Sequence, residues 1–171
     1  MNFKIEKLSK ENLEDAIKLI EQIFTLYPQD KDHPRLWLPA SLSPKTKKNK
    51  ELYATTGCTE LKHFVATKNN KVIGITGFFT FKKDEEEADW LAWYAVDKKY
   101  RRQGIGTNLL EFVINNARKR KKKYLRLYTS MAEEEKEAQL LYEKFGLKII
   151  KKEKSPYQEG SIVIYRELKL I

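Results

Sequence analysis

Two closely spaced glycines, Gly104 and Gly106, follow a pair of arginines, Arg101 and Arg102, between the apolar run Trp90–Val96 and a stretch that places Ile105, Leu109, Val113, Ile114 and Ala117 at helical spacing. A strand that passes through such a loop into the first turn of a helix aims successive backbone N–H groups and the positive helix end at one place. That arrangement suits an anion such as a pyrophosphate. Glycine lets the backbone approach the ligand closely, and the arginines add positive charge. The nucleoside-triphosphate loop is excluded because no glycine here is followed by Lys-Ser or Lys-Thr. The dinucleotide fingerprint is excluded because its third glycine would fall at Leu109.

Other reactive side chains are sparse. Cys58 is the single cysteine, so neither an intramolecular disulfide nor a cysteine metal cluster can form. His33 and His63 have no accompanying ligand set, and no metal is expected. The net charge of +10 is carried partly by runs at Lys47–Lys50, Arg118–Lys123 and Lys151–Lys154. Charge of this kind fits an anionic ligand or nucleic acid, but the runs are not interleaved with aromatic residues and read as solvated helix and strand ends. The residues Met1–Lys10 are charged rather than signal-like, and no stretch approaches the roughly 18 apolar residues of a membrane span. These features lead to the expectation of one cytoplasmic domain over residues 1–171, with no membrane partner, nucleic acid disfavoured and a homodimer allowed.

The elements that must hold the loop follow from periodicity. Phe3-Lys4-Ile5 reads as a short strand, and Ser9 as the cap of a helix with Leu13, Ala16, Ile17, Ile20 and Ile23 or Phe24, then Tyr27, on its apolar face. Pro28, Pro34, Pro39 and Pro44 make Pro28–Glu60 read as a long loop with short helical turns. His63–Thr67 and Val72–Phe81 form a hairpin through Lys68-Asn69-Asn70-Lys71. Asp84–Glu87 reads as an acidic turn, and Trp90–Val96 as one strand buried on both faces. After the loop and its helix, Tyr124–Thr129 is a strand. Ser130 and Glu133 match a capping box, and Ala138, Leu141, Tyr142 and Phe145 lead to a Gly146 cap. Strands at 147–153 and 162–169 close the chain. The order β, α, loop, β, β, β, α, β, α, β, β argues for a mixed α/β sheet flanked by helices.

The segment Arg101-Arg-Gln-Gly-Ile-Gly106, with its lead-in Val96–Tyr100, is similar to the Arg/Gln-x-x-Gly-x-Gly/Ala signature of the GNAT superfamily of N-acetyltransferases. Glu137–Lys148 resembles the second signature of that family, an Ala-x-x-Leu-Tyr helix end. The resemblance covers roughly Val72 to Ile171. It implies a mostly antiparallel α/β fold with a splayed strand pair, and transfer of an acetyl group from acetyl-CoA to a primary amine by direct attack. It further implies that the pantetheine arm pairs with Ala95 and Val96. The pyrophosphate is then held at Arg101, Arg102, Gln103, Gly104, Ile105, Gly106 and Thr107. Tyr142 matches the tyrosine that protonates the departing thiolate, a role within reach of a phenol because its acidity is close to that of a thiol.

The base is less well marked. Where histone-type members carry a glutamate, this chain has Trp90, leaving Asp89, Glu87 or a water relay. Strand alternation puts Asp89 on the face opposite Trp90, and Trp90 with Tyr94 on the face opposite Leu91, Trp93 and Ala95. Trp37, Phe79, Phe81, Trp90 and Trp93 supply aromatic surface, with acceptor selectivity expected from the Pro28–Glu60 segment and Trp90. A CoA-binding sensor without turnover is the alternative, and a basic nucleic-acid-binding domain ranks last.

Overall fold

The computed structural model describes residues 2–27, 30–155 and 160–171. Strand β1 (Lys4–Lys7) leads into helix α1 (Leu13–Ile23), followed by α2 (Pro34–Leu42), α3 (Lys47–Thr56), β2 (Cys58–Lys68), β3 (Lys71–Phe81), β4 (Ala88–Leu91) and β5 (Ala95–Val96). The glycine loop opens α4 (Ile105–Lys119). Then come β6 (Tyr124–Ser130), α5 (Lys136–Lys144), β7 (Lys148–Lys154) and β8 (Ile162–Lys169). The sheet runs β1-β2-β3-β4-β6-β8-β7, with β5 beside β3. Its pairs are antiparallel except β4 with β6, which is parallel. This is the mixed α/β sheet expected from the element order, and it is mostly antiparallel, as the resemblance implies.

Two apolar layers sandwich the sheet. On one face α1 and α2 set Ala16, Ile17, Ile20 and Leu38 on Val65, Ile75 and Ala95, while Ala40 and Tyr53 from α2 and α3 cover Cys58 and Leu61. On the other face α4 and α5 bury Leu110, Val113, Ile114, Ala117 and Tyr142 against Phe64, Phe78, Leu91, Leu125 and Leu127. At roughly 1.5–3 kcal/mol for each large apolar side chain buried, this layer fixes α4, and therefore the loop at its start, to the sheet.

The β2–β3 hairpin turns on Asn69 and Asn70, both with positive φ (51° and 60°), as the Asn-Asn pair requires for a tight turn. Gly146 ends α5 in the left-handed conformation at φ 80°. Elsewhere the elements depart from expectation. The segment read as a loop contains α2 and α3. Pro39 is tolerated inside α2, and Pro34 sits at its first position, where a missing N–H costs nothing. Pro28 lies outside the described residues. Ser9 does not cap α1, since its N–H donates to Asn12 Oδ1 (2.8 Å) and Asn12 occupies the cap position. Tyr27 lies beyond the end of α1 and is exposed.

Candidate active site

Trp90–Val96 is not one strand. Leu91 pairs with Phe78 and Ala95 with Ile75, so Thr76 and Gly77 of β3 face three residues, Ala92, Trp93 and Tyr94. The extra residue is a β-bulge, and it reverses the side-chain alternation. Trp90 lies among Phe79, Phe81, Tyr128 and Tyr165, and Trp93 packs on Phe24 of the α1 side. Tyr94 turns to the α4–α5 side, where its ring centroid is 5.8 Å from that of Tyr142. Trp90 and Tyr94 thus end on opposite faces, contrary to plain alternation. Gly77 also packs tightly on β2, where a Cβ would lie 2.3 Å from the Lys62 carbonyl oxygen.

The bulge also opens the sheet. β4 pairs with β6 only from Ala88 to Trp90, whereas β5 pairs with β3 alone. Beyond Arg126, β6 runs on to Ser130 with the edge that faces β5 unpaired. The free edges of β5 and β6 bound a wedge, which is the splayed strand pair.

β5 leads directly to the loop. Asp97 Oδ1 accepts from Lys99 N (2.8 Å) and fixes a 3₁₀ turn at Lys98–Tyr100. Arg102 (φ 61°) and Gly104 (φ 80°) take left-handed conformations that swing the chain into α4. Within α4 the first-turn amides of Ile105, Gly106 and Thr107 have no carbonyl four residues back to reach, and Asn108 is the first to donate, to Gly104 O at 3.0 Å. The loop therefore presents a cradle of N–H groups at the positive end of a 15-residue helix. Gly104 and Gly106 keep that cradle shallow. Arg101 is directed elsewhere: its Nε donates to Val96 O (3.2 Å) and its Nη1 meets Glu137 of α5 at 3.2 Å. Gln103 Nε2 turns back to Lys99 O (3.4 Å).

Tyr142 closes the wedge from α5 and is 5% exposed. Burial, with Tyr94 and Glu135 nearby, pushes its phenol well above the ordinary value. Its hydroxyl therefore stays protonated.

Asp89 does not reach this place. It is fully buried on the α4 side, where Oδ2 accepts from Arg120 Nε (2.7 Å) and Oδ1 from Thr80 Oγ1 (2.9 Å), with Lys122 Nζ at 3.9 Å. Arg120 follows the C-terminus of α4, about 22 Å along the helix from the glycine loop at 1.5 Å per residue. The base role considered for Asp89 is replaced by an internal ion pair. Glu87 lies at the same end of β4, 3.7 Å from Lys123.

A carboxylate that the sequence reading passed over is at the wedge. The expected capping box joins Ser130 to Glu133, but Glu133 is exposed and pairs with Lys136. It is Glu135 that reaches back, accepting from Ser130 N and from Thr129 Oγ1. The spacing signal was present but displaced by two residues, because a 3₁₀ turn at Glu133–Glu135 precedes α5.

A hollow of about 390 Å³ bordered by Glu143, Leu147, Lys148 and Arg166 includes none of the predicted site residues. Among the described residues no helix is long and apolar enough to cross a membrane, and no cluster of His, Cys, Asp and Glu could hold a metal ion.

An N–H cradle at a helix start, a wedge between two strands and a buried tyrosine are the features that the resemblance to the GNAT superfamily implies. The chain matches the acetyltransferase (GNAT) domain family over residues 59–149 and belongs to that family. Its fold is shared by Ard1 from Thermoplasma volcanium (18% identity, TM-score 0.75, 100% of this chain and 99% of that one). It is shared also by a GNAT family acetyltransferase from Elizabethkingia anophelis with acetyl-CoA bound (23% identity, TM-score 0.61, 99% of each chain). A third relative is Arabidopsis thaliana Naa50 in complex with the bisubstrate analogue CoA-Ac-MVNAL (17% identity, TM-score 0.72, 99% of each chain). Comparison with curated proteins yields no significant match. The chain is thus an acetyltransferase of the GNAT family.

Proposed function

We propose that residues 1–171 act as one cytoplasmic N-acetyltransferase domain that acetylates a primary amine in the wedge between β5 and β6. The amides of Arg102, Gln103, Gly104, Ile105, Gly106 and Thr107 hold the pyrophosphate of acetyl-CoA, and Arg101 ties this loop to α5 through Glu137. The unpaired edge of Ala95 and Val96 takes the pantetheine arm as an added strand. The observation that carries this reading is the continuity of that free edge with the unsatisfied first-turn amides of α4.

Acetyl-CoA supplies an activated acyl group as a thioester. The chain's own task is to orient it and to manage protons. N–H groups on the free edge of β5 stabilise negative charge on the carbonyl oxygen. Tyr142, kept neutral by burial, donates its Oη proton to the sulfur as charge develops there. A phenol above its usual pKa remains a competent donor here because a thiolate in the same buried wedge bears the same desolvation penalty.

The aromatic wall of Phe79, Trp90, Tyr128 and Tyr165 borders the acceptor side, with Tyr128 42% exposed. Naa50 carries a peptide-linked analogue, so peptide N-termini join small amines, polyamines and lysine side chains as acceptors to be tried. The test is release of free CoA thiol from acetyl-CoA with a panel of these amines. Amine-dependent release supports catalysis. Binding of acetyl-CoA with no turnover on any amine would favour the sensor alternative.

A further inference from the structure

We propose that Glu135 is the general base of this enzyme, taking a proton from the acceptor nitrogen; the proposal rests on the acetyl-transfer reading above. Ser130 stands opposite Val163 in the β6–β8 ladder, yet its N–H donates to Glu135 Oε2. That N–H therefore points away from β8, toward the open edge of β6. The carbonyl of Ser130 accepts from Gln139 Nε2 (2.9 Å) on the same edge. Glu135 and Gln139 thus stand where a neighbouring strand would otherwise pair, inside the wedge.

The carboxylate is anchored through one oxygen. Ser130 N–H and Thr129 Oγ1 both donate to Oε2, and the Ser130 side chain adds a further hydrogen bond to the carboxylate. The 3₁₀ turn carrying it abuts the segment after α1, where Thr25 N–H donates to Glu134 Oε1 at 3.5 Å. Tyr142 lies close enough for the charge of Glu135 to raise its phenol. The charged and titratable groups around Glu135 are Glu134 in its own turn, Tyr142 on α5, and Arg166 of β8, whose Nε donates to Gln139 Oε1 at 2.9 Å. Burial raises the Glu135 carboxyl above its usual value, with Glu134 adding to the rise and the hydrogen bonds from Thr129 and from the Ser130 backbone and side chain opposing it. Three other acidic groups are paired with arginines: Asp89 with Arg120, Glu137 with Arg101 and Glu143 with Arg166.

In the step assigned to it, Glu135 Oε1 takes one proton from the ammonium nitrogen and passes it to solvent. The neutral nitrogen forms the C–N bond as the C–S bond breaks. A second nitrogen proton returns through Oε1 to Tyr142, which has given its own to sulfur. The sum is ammonium plus thioester giving amide, free thiol and one released proton.

Glu135→Gln keeps an acceptor oxygen for Ser130 and Thr129. Calorimetric titration with acetyl-CoA is expected to give affinities within about twofold for wild type and variant. The kcat of the variant at neutral pH is expected to fall about 100-fold, within the range for a lost general base, and the acid-side fall of kcat expected of wild type should disappear. Glu135→Asp should recover part of the rate together with that limb. In the free protein, the Glu135 carboxyl carbon should titrate by NMR above the ordinary glutamate value. A Glu135→Gln enzyme that retains the acid limb, or that loses only its affinity for acetyl-CoA, would overturn the assignment while leaving acetyl transfer intact. Failure of wild type to bind acetyl-CoA would overturn the acetyl-transfer reading itself.

Discussion

The phenol oxygen of Tyr94 stands where a side chain on Gly106 would begin: a Cβ at that position would lie 2.7 Å from Tyr94 Oη. The bulge at Ala92–Tyr94 turns Tyr94 to this side of the sheet, so the same irregularity that opens the wedge also sets the headroom over the loop. Gly106→Ala is expected to displace Tyr94 and weaken acetyl-CoA binding about tenfold or more by calorimetry, with about 1–3 kcal/mol lost in stability from overpacking. Tyr94→Phe removes the offending oxygen. The double variant should regain part of the affinity, with a coupling of about 0.5–3 kcal/mol. Additive losses would show that the contact is not what limits the loop.

Tyr142→Phe removes a proton donor while keeping the buried ring. With acetyl-CoA affinity unchanged, kcat should fall about 10²- to 10⁴-fold, the usual range for a general acid. Steady-state rates and calorimetry on the same preparation test this. A kcat within threefold of wild type would remove Tyr142 from the chemistry.

Asp89→Asn leaves Arg120 beside a neutral partner in a site that admits no water to the carboxyl group. Breaking a buried pair from one side costs about 3–5 kcal/mol, lessened here because Arg120 is partly exposed and also meets Glu60 at 2.7 Å. Urea unfolding should show a loss of about 2–3 kcal/mol, with kcat of the folded variant changed less than threefold. A large loss of kcat at unchanged stability would restore Asp89 as a candidate base.

His63 is 4% exposed, with Nδ1 3.1 Å from Ser41 Oγ and Nε2 buried without a partner among the described residues. Burial pushes its pKa down to about 3. A depressed folded pKa means that the unfolded chain binds the proton first. Stability from this group is complete above the ordinary histidine value and is lost as pH falls from there toward about 3. The loss is about 1.4 kcal/mol per pH unit. Replacing His63 with Leu should flatten the stability profile between pH 6 and 4 by about one proton, measured by urea unfolding across that range. An unchanged slope would show that His63 does not govern acid sensitivity.

The parts legible in the sequence are those in which local chemistry and tertiary role coincide. The α4 face, the Asn69-Asn70 turn and the glycines of the loop each follow from one residue type meeting one backbone need. The bulge at Ala92–Tyr94 was hidden because an unbroken apolar run looks the same whether or not one residue is extra. Only pairing with Thr76 and Gly77 reveals the count, and with it the true face of Tyr94. Helix α2 was obscured by Pro39 and α3 by a lysine-rich start, since both helices are held by packing on the sheet rather than by strong periodicity. Glu135 carries no signal in the sequence because its partners, Thr129 and Ser130, lie on a strand whose free edge exists only once the sheet has opened.

The loop between β5 and α4 is the proposed seat of the acetyl-CoA pyrophosphate, and a thermal shift titration tests that most directly. A ligand bound only by the folded state adds about 2.7 kcal/mol at one hundred times its Kd, a rise in Tm of roughly 5–10 °C for a chain of this size. Acetyl-CoA and CoA should both produce this rise. Gly104→Val, which cannot hold the left-handed φ of 80° without strain, should abolish it while the variant remains folded. A wild-type Tm that does not move with either ligand, or a shift that survives Gly104→Val, would contradict the assignment.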